Sequence, residues 1–166
     1  MRLFIITTVL VLMSSLAWAQ TQKIAYVESE RIVPEMPAYK KAQSELKAYT
    51  KQLQKVLQQK QTALEKDYVA VMDSIKQGIM NELQKQRAQI RLQNGQQQLQ
   101  QEASNADKKV AQKEGDLIEP LYKRFNEALE AVAKAEGYTY ILDKQFMLYF
   151  VGGIDATDKV KTKLGI

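Results

Sequence analysis

The chain has 166 residues, and its 24 basic and 19 acidic side chains give a formal net charge of +5. It has no cysteine, which excludes disulfides and thiolate metal sites, and no histidine, which removes the commonest general base and metal ligand. Its seven glycines are scattered and form no phosphate-binding loop. We therefore expect a protein that is not an enzyme and that needs no cofactor or metal.

The first 19 residues predict a secretory signal peptide. Arg2 gives a basic start, residues 3–13 are apolar, and Ala17-Trp18-Ala19 has the small residues of a cleavage site. We expect cleavage after Ala19 and export from the cytoplasm. The alternative is a retained membrane anchor, which the short apolar run disfavours because a bilayer-spanning helix needs about 20 such residues.

A short strand is predicted at the start of the mature chain, over residues 23–28, which are rich in strand-forming side chains. Alternation places Ile24 and Tyr26 on one side of this strand and Ala25 and Val27 on the other. Both sides are apolar, so we expect both to be covered.

An elbow separates this strand from the long helical region. Residues 28–33 predict one helical turn with Ser29 as its N-cap. Pro34 and Pro37 then interrupt the chain, because proline fixes its own backbone and restricts the residue before it.

The region from Ala38 to Gly137 favours helix, and its apolar residues recur at steps that average about 3.5, as in a coiled coil. A single helix of that length would reach roughly 150 Å, so we expect an antiparallel hairpin arm over residues 38–119. Cap and turn residues predict its tip near residues 73–81, and Pro120 predicts an interruption and a hinge. The seam of the return helix is expected to begin with Leu83, Ile90 and Leu99.

The C-terminal quarter predicts a helix and two strands. Residues 121–136 continue as helix, and Gly137 ends it. Residues 138–143 predict a strand, Lys144-Gln145 a tight turn, and residues 146–151 a second strand, so that the two strands form a β-hairpin.

A terminal helix over residues 156–164, capped by Asp155, follows Gly152-Gly153. Residues 20–37 and 120–166 would thus form a β-rich body with three strands. A sheet of this size with two apolar faces is too small to be stable alone, so we expect association between copies of the chain. The residues predicted to form this oligomer interface are Ile24, Tyr26, Tyr140, Leu142, Tyr149 and Val151.

The order of these elements resembles the Skp (OmpH-like) family of periplasmic chaperones, over residues 23–164. The most specific similarities are the opening strand Lys23–Val27, the segment Ala135–Asp143 and the closing segment Asp155–Val160. The resemblance implies an α+β, mostly helical fold. In it, a long antiparallel coiled-coil hairpin is attached to a small three-stranded β body, which completes a barrel-like core in a homotrimer.

The resemblance also implies a function. Family members hold unfolded outer-membrane proteins in a cavity between the helical arms, without ATP, in the periplasm. Apolar residues around the tip are expected to contact such clients, since methionine adapts to varied partners, although the same residues could simply cap the seam. These residues are Met72, Ile75, Ile79, Met80 and Leu83.

Two other functions stay open at this point. A structural or adaptor coiled coil of the cell envelope would need a docking surface and one defined partner. Nucleic-acid binding is suggested by the pI of about 9.2, but no basic stripe interleaved with aromatic residues supports it. Peripheral contact with a membrane surface is a further possible partner interaction, and we expect no nucleic acid.

Overall fold

A computed structural model describes residues 22–166. In chain order the elements are β1 (Ile24–Val27), α1 (Ser29–Ile32), α2 (Pro37–Lys76), α3 (Glu82–Glu136), β2 (Tyr140–Asp143), β3 (Ile154–Asp155) and α4 (Thr157–Leu164), with 3-10 turns at Val33–Glu35 and Lys144–Phe146. Residues 33–126 form one compact unit, the arm unit, and residues 22–32 and 127–166 form another, the sheet unit. The predicted signal peptide and its cleavage after Ala19 lie outside the described residues.

The predicted antiparallel helical hairpin is confirmed. Pro37 is the first residue of α2, a position where its missing N–H is tolerated. Three ion pairs join the two helices at increasing distance from the turn, and their order in the chain shows that the helices run antiparallel. These pairs are Arg91–Asp67, Lys60–Glu102 and Lys113–Glu45. Within residues 22–166, no helix combines the length and the apolar character that crossing a bilayer requires.

The turn between the helices, residues 77–81, is capped on both sides. Gly78 has a φ of 68°, and its N–H donates to the carbonyl of Ile75, while the N–H of Ile79 donates to that of Ser74. This hydrogen-bond pair ends α2 in a Schellman motif. At the start of α3, the Gln84 N–H donates to the Asn81 side chain and the Asn81 N–H to the Gln84 side chain, which is a capping box.

The seam near the tip differs from the sequence prediction. Leu83 and Ile90 are exposed, whereas Ala88 is buried and Leu92 half-buried. Positions 83 and 90 share one face of α3, and that face lies opposite the seam. The prediction was wrong here because the seam position is occupied by a small residue, Ala88. A search for large apolar residues does not identify it.

The predicted interruption at Pro120 is not a break in the helix. α3 continues through Pro120 to Glu136, and this proline is exposed. Its neighbour Leu121 is buried, as is Phe125 one turn later. Because tertiary packing can hold a helix across a proline that lacks one hydrogen bond, the local preference is overridden. A hinge at Pro120 stays a prediction.

The sheet unit contains a three-stranded sheet in the order β2-β1-β3. Both edges of β1 are paired in parallel, with Ala25 opposite Ile141 on one side and opposite Ile154 on the other. Ala25 and Val27 are buried on one side of the sheet. The core on that side includes Ile32 of α1 and Val160 of α4.

The predicted β-hairpin over residues 138–151 is wrong. Lys144–Phe146 is a 3-10 turn in which the N–H of Gln145 donates to the Asp143 carboxylate, and residues 147–153 are assigned to no strand. A two-residue hairpin turn needs residues that adopt positive φ, which lysine and glutamine resist. The third strand is instead Ile154–Asp155, parallel to β1.

Two predicted caps take other roles. Ser29 is the first residue of α1, and its hydroxyl donates to the carboxylate of Asp143. Asp155 lies one residue earlier than an N-cap, and its carboxylate accepts from the N–H of Thr157 at 2.9 Å. Thr157 is buried, and its hydroxyl accepts from the N–H of Glu28. The hydrogen bond between Glu28 and Thr157 thus joins the end of β1 to the start of α4.

Candidate functional site

One face of the sheet is apolar and open. Ile24 and Tyr26 of β1 lie beside Tyr140 and Leu142 of β2, because the parallel register pairs Ile24 with Tyr140 and Tyr26 with Leu142. Tyr26 is half-buried and the other three side chains are exposed. We call these four residues the open face. Four of the six residues predicted for the oligomer interface are therefore neighbours in space.

The segment Phe146–Val151, here called the crossing segment, connects β2 to β3 past this open face. Its Phe150 ring packs on Tyr26 with 5.3 Å between the ring centroids. The side chains of Phe146, Leu148, Tyr149 and Val151 are between 79% and 104% exposed. Tyr149 and Val151, the other two predicted interface residues, thus lie on no strand. Soluble monomers rarely expose so many adjacent apolar side chains, so this surface indicates a binding partner.

An ion pair between Lys144 and Glu28 lies just before the crossing segment in the chain. The Lys144 ammonium lies 2.5 Å from the Glu28 carboxylate and 5.8 and 6.0 Å from the ring centroids of Tyr26 and Phe150. Hydrogen bonds from Lys144 and then Arg31 hold the pKa of Glu28 below its usual value, and Glu28 raises the pKa of Lys144. The Lys144 ammonium thus lies close to both the Tyr26 ring of the open face and the Phe150 ring of the crossing segment.

The hairpin tip presents apolar side chains on a well-capped turn. Ile79 and Leu83 are 67% and 56% exposed, and Met72 is also exposed, while Ile75 and Met80 are half-buried. All five predicted client-contact residues therefore lie within or beside the turn of the arm. Because the turn is hydrogen-bonded on both sides, the exposed residues are presented on an ordered backbone.

A shallow groove of about 590 Å³ lies between the two helices, closer to the tip than to the first turns of α2. Its leucines are half-buried, whereas its tyrosine and its two glutamines are exposed. The lining residues are Gln61, Leu64, Glu65, Tyr68, Val69, Leu92, Gln96 and Leu99. Such a groove can accept an apolar side chain while the amides bond to a peptide backbone.

Sequence reasoning missed several exposed apolar residues of the arm, and three of them, Tyr68, Val69 and Ile90, lie in its tip half. Tyr68 and Val69 fall between the seam residues Leu64 and Val71. Their phase relative to the 3.5-residue repeat is the signal that could have identified them, because only one residue in about every 3.5 can face the partner helix. Ile90 was assigned to the seam itself.

The arm also has charged contacts that fix its register. The Lys113 ammonium lies 2.6 Å from the Glu45 carboxylate, and its hydrogen bond lowers the pKa of Glu45, while Glu45 raises the pKa of Lys113. Within the part of the chain that the structure describes, no three histidine, cysteine, aspartate or glutamate side chains gather in a way that could hold a metal.

The comparisons with known proteins cover most of the chain. The sequence profile of the family described as "Outer membrane protein (OmpH-like)" matches residues 23–164. An uncharacterized protein of Aquifex aeolicus (strain VF5) is 26% identical over 140 residues, which is 84% of each chain.

A solved structure has the same fold. The crystal structure of a proposed outer membrane chaperone (OmpH-like) from Caulobacter crescentus CB15 matches with a TM-score of 0.74 at 20% identity, over 86% of this chain and 83% of that one. At this identity the match establishes the fold, and the family profile extends over nearly all of the described residues. The chain therefore belongs to the Skp (OmpH-like) family.

Proposed function

We propose that this protein is an ATP-independent holdase chaperone of the periplasm, which binds unfolded outer-membrane proteins between its helical arms and prevents their aggregation. The observation that carries this proposal is the large exposed apolar surface at two separate places, the sheet unit and the hairpin tip. A binding protein needs such surfaces, and an enzyme would need converging polar groups instead. Family membership supports the same function.

The first surface, the open face with the crossing segment, is proposed to form the oligomer interface. Four exposed side chains of the crossing segment would each contribute about 1.5–3 kcal/mol on full burial. Copies of the chain are the natural partner, because every copy has the same uncovered apolar face and a symmetric assembly can bury all of them together. We propose a homotrimer with a barrel-like β core formed by residues 20–37 and 120–166.

The second surface, the hairpin tip, is proposed to contact clients. Ile79 and Leu83 are each more than half exposed, so that covering either one would contribute about 1–2 kcal/mol. Contacts this weak release a client readily, but several arms that act together can retain it through avidity. Unfolded barrel proteins expose apolar segments that otherwise aggregate, which is the hazard that such a holdase prevents.

The periplasmic location rests on the signal peptide predicted over residues 1–19. It also fits the absence of cysteine, because the fold does not depend on the redox state of its compartment. The hairpin arm, residues 38–119, is proposed to enclose the client together with the arms of the other chains.

The test is suppression of aggregation. The mature protein is mixed at near-stoichiometric ratio with several unrelated outer-membrane proteins diluted from denaturant, and turbidity is followed. We expect suppression of all of them. The variant I79S/L83S should suppress aggregation poorly, while the control V56S/I90S, which removes two exposed apolar side chains elsewhere on the arm, should act as the wild type does.

Two results would contradict the proposal. If the wild-type protein protects none of the denatured clients, or binds only one defined folded partner, it acts as an adaptor coiled coil of the envelope. If the tip variant and the control variant lose activity equally, the tip is not the place of client contact.

A further inference from the structure

Two of the four methionines in the described part of the chain lie at the hairpin tip. Met72 is near the end of α2, and Met80 is in the turn that follows this helix. Met72 is 37% exposed and Met80 is half-buried, whereas Met36, just before α2, is only 2% exposed. The fourth, Met147, is half-buried in the crossing segment. A dissolved reagent therefore reaches the sulfur of Met72 far more easily than that of Met36.

Met72 belongs to a row of exposed apolar side chains on α2. Tyr68 and Val69 precede it by four and three residues, a spacing that places all three on one face of a helix. Tyr68 and Val69 are each more than half exposed, and both line the groove between the two helices. Met72 thus extends this row from the groove toward the turn.

The turn holds Met80 between two hydrogen-bonded neighbours. On one side the N–H of Ile79 donates to the carbonyl of Ser74, and on the other Asn81 and Gln84 form the capping box. None of these bonds involves sulfur. A chemical change at the sulfur of Met80 therefore alters the surface of the tip while the bonds that order its backbone stay available.

Methionine is the side chain through which this protein can respond to peroxide, because the chain has no cysteine. In the reaction, a lone pair of the thioether sulfur attacks one oxygen of hydrogen peroxide. A sulfur–oxygen bond forms, the oxygen–oxygen bond breaks, and the second oxygen leaves as water. Sulfur loses two electrons and the peroxide gains them. The product, methionine sulfoxide, is converted back to methionine by sulfoxide reductases.

The sulfoxide changes what the tip offers to an apolar segment. Methionine is flexible and apolar and adapts to varied partners, whereas its sulfoxide carries a polar oxygen. An apolar segment that covers this oxygen removes it from water without providing a hydrogen bond, which is unfavourable. Oxidation at Met72 and Met80 therefore weakens apolar contacts at the tip.

We infer that Met72 and Met80 form a reversible oxidation site, at which conversion to sulfoxide by a peroxide weakens the hold of the tip on unfolded clients. This inference rests on the proposed function and adds to it a means by which oxidants regulate client binding. Its chemical part, the selective oxidation of the tip, does not depend on any client.

The first measurement is the order of oxidation. The full mature protein is treated with hydrogen peroxide for increasing times, and peptide mass spectrometry follows the gain of one oxygen at each methionine. Met72 should be oxidised at least about tenfold faster than the buried Met36, because oxidation follows exposure. Equal rates at Met72 and Met36 would overturn the inference, since the tip would then not be a selective site.

The second measurement is aggregation suppression before and after oxidation, with the peroxide removed before the denatured clients are added. Oxidised wild type should need about fivefold more protein for half-maximal suppression, because several tips lose affinity together. The variant M72L/M80L has side chains of similar volume that peroxide does not oxidise, and it should show no such change. The matched variant M36L/M147L keeps both tip methionines and should lose activity as the wild type does.

Each protein is compared with its own unoxidised form, so the substitutions need not preserve the starting activity. Treatment of the oxidised wild type with methionine sulfoxide reductases should restore suppression, and its helical circular dichroism signal should be unchanged throughout. An equal loss in M72L/M80L and wild type, or a loss of the helical signal on oxidation, would overturn the inference.

The failure of the inference differs from the failure of the proposed function. If oxidised wild type, with both tip methionines converted, protects clients as well as the unoxidised protein, the inference fails and the proposed function stands. If the unoxidised wild type protects no client, the proposed function fails and the inference falls with it.

Discussion

The substitution Leu148→Ser tests the association surface most sharply. Leu148 is fully exposed in the single chain, so its removal costs the isolated fold no packing. If association covers this side chain, each chain loses about 1.5–3 kcal/mol of apolar burial. A trimer would lose about 4.5–9 kcal/mol, which corresponds to roughly three to six powers of ten in its dissociation constant.

The assay is sedimentation equilibrium of the mature protein over a range of concentrations. We expect Leu148→Ser to dissociate at concentrations where the wild type is still assembled, with an unchanged helical circular dichroism signal. The control is Val56→Ser, which removes an exposed apolar side chain from the arm and should leave the mass unchanged. An unaltered dissociation constant for Leu148→Ser would refute the reasoning that the crossing segment is covered by another chain.

Three further predictions concern the arm, and urea or thermal unfolding measures each. Gly115→Ala should stabilise by about 1 kcal/mol, because a methyl group there meets no atom within 4 Å, whereas Gly95→Ala should gain less because its methyl would lie 2.8 Å from a leucine of α2. Asn81→Ala should cost about 1 kcal/mol through loss of the capping box. Glu45→Gln should lower the melting temperature by more at pH 7 than at pH 3. The pKa of Glu45 is lowered by Lys113, so its stabilisation is present above the ordinary pKa of about 4.5 and is lost as pH falls through the folded value. Equal effects at both pH values would contradict the last prediction.

The arm was predictable because its information is local. The 3.5-residue repeat identifies the seam, and the turn residues Gly78 and Asn81 identify where the helix reverses, since each adopts or caps a conformation that few residues allow. The parts that failed were those where a tertiary contact overrides a local preference. Pro120 lies inside a helix whose neighbouring residues Leu121 and Phe125 are buried. Ala88 occupies a seam position, but it is too small to be recognised by a search for large apolar residues.

The sheet was less predictable because strand pairing is not local. The apolar sequence of the crossing segment favours a strand, yet within the described chain it pairs with nothing, while the two-residue strand Ile154–Asp155 pairs with β1. Propensity alone does not reveal which partner a segment has. Alternation alone places Ile24 and Tyr26 on one side of β1, and the parallel register with β2 brings Ile24 beside Tyr140 and Tyr26 beside Leu142.

We propose that the chain works as an assembly whose joined sheet units cover the open face. The most direct test is the absolute mass of the mature protein at micromolar concentration, measured by light scattering coupled to size exclusion. We expect three times the mass of one chain. A stable, soluble species with the mass of a single chain would contradict it, because the open face and the crossing segment would then be left uncovered.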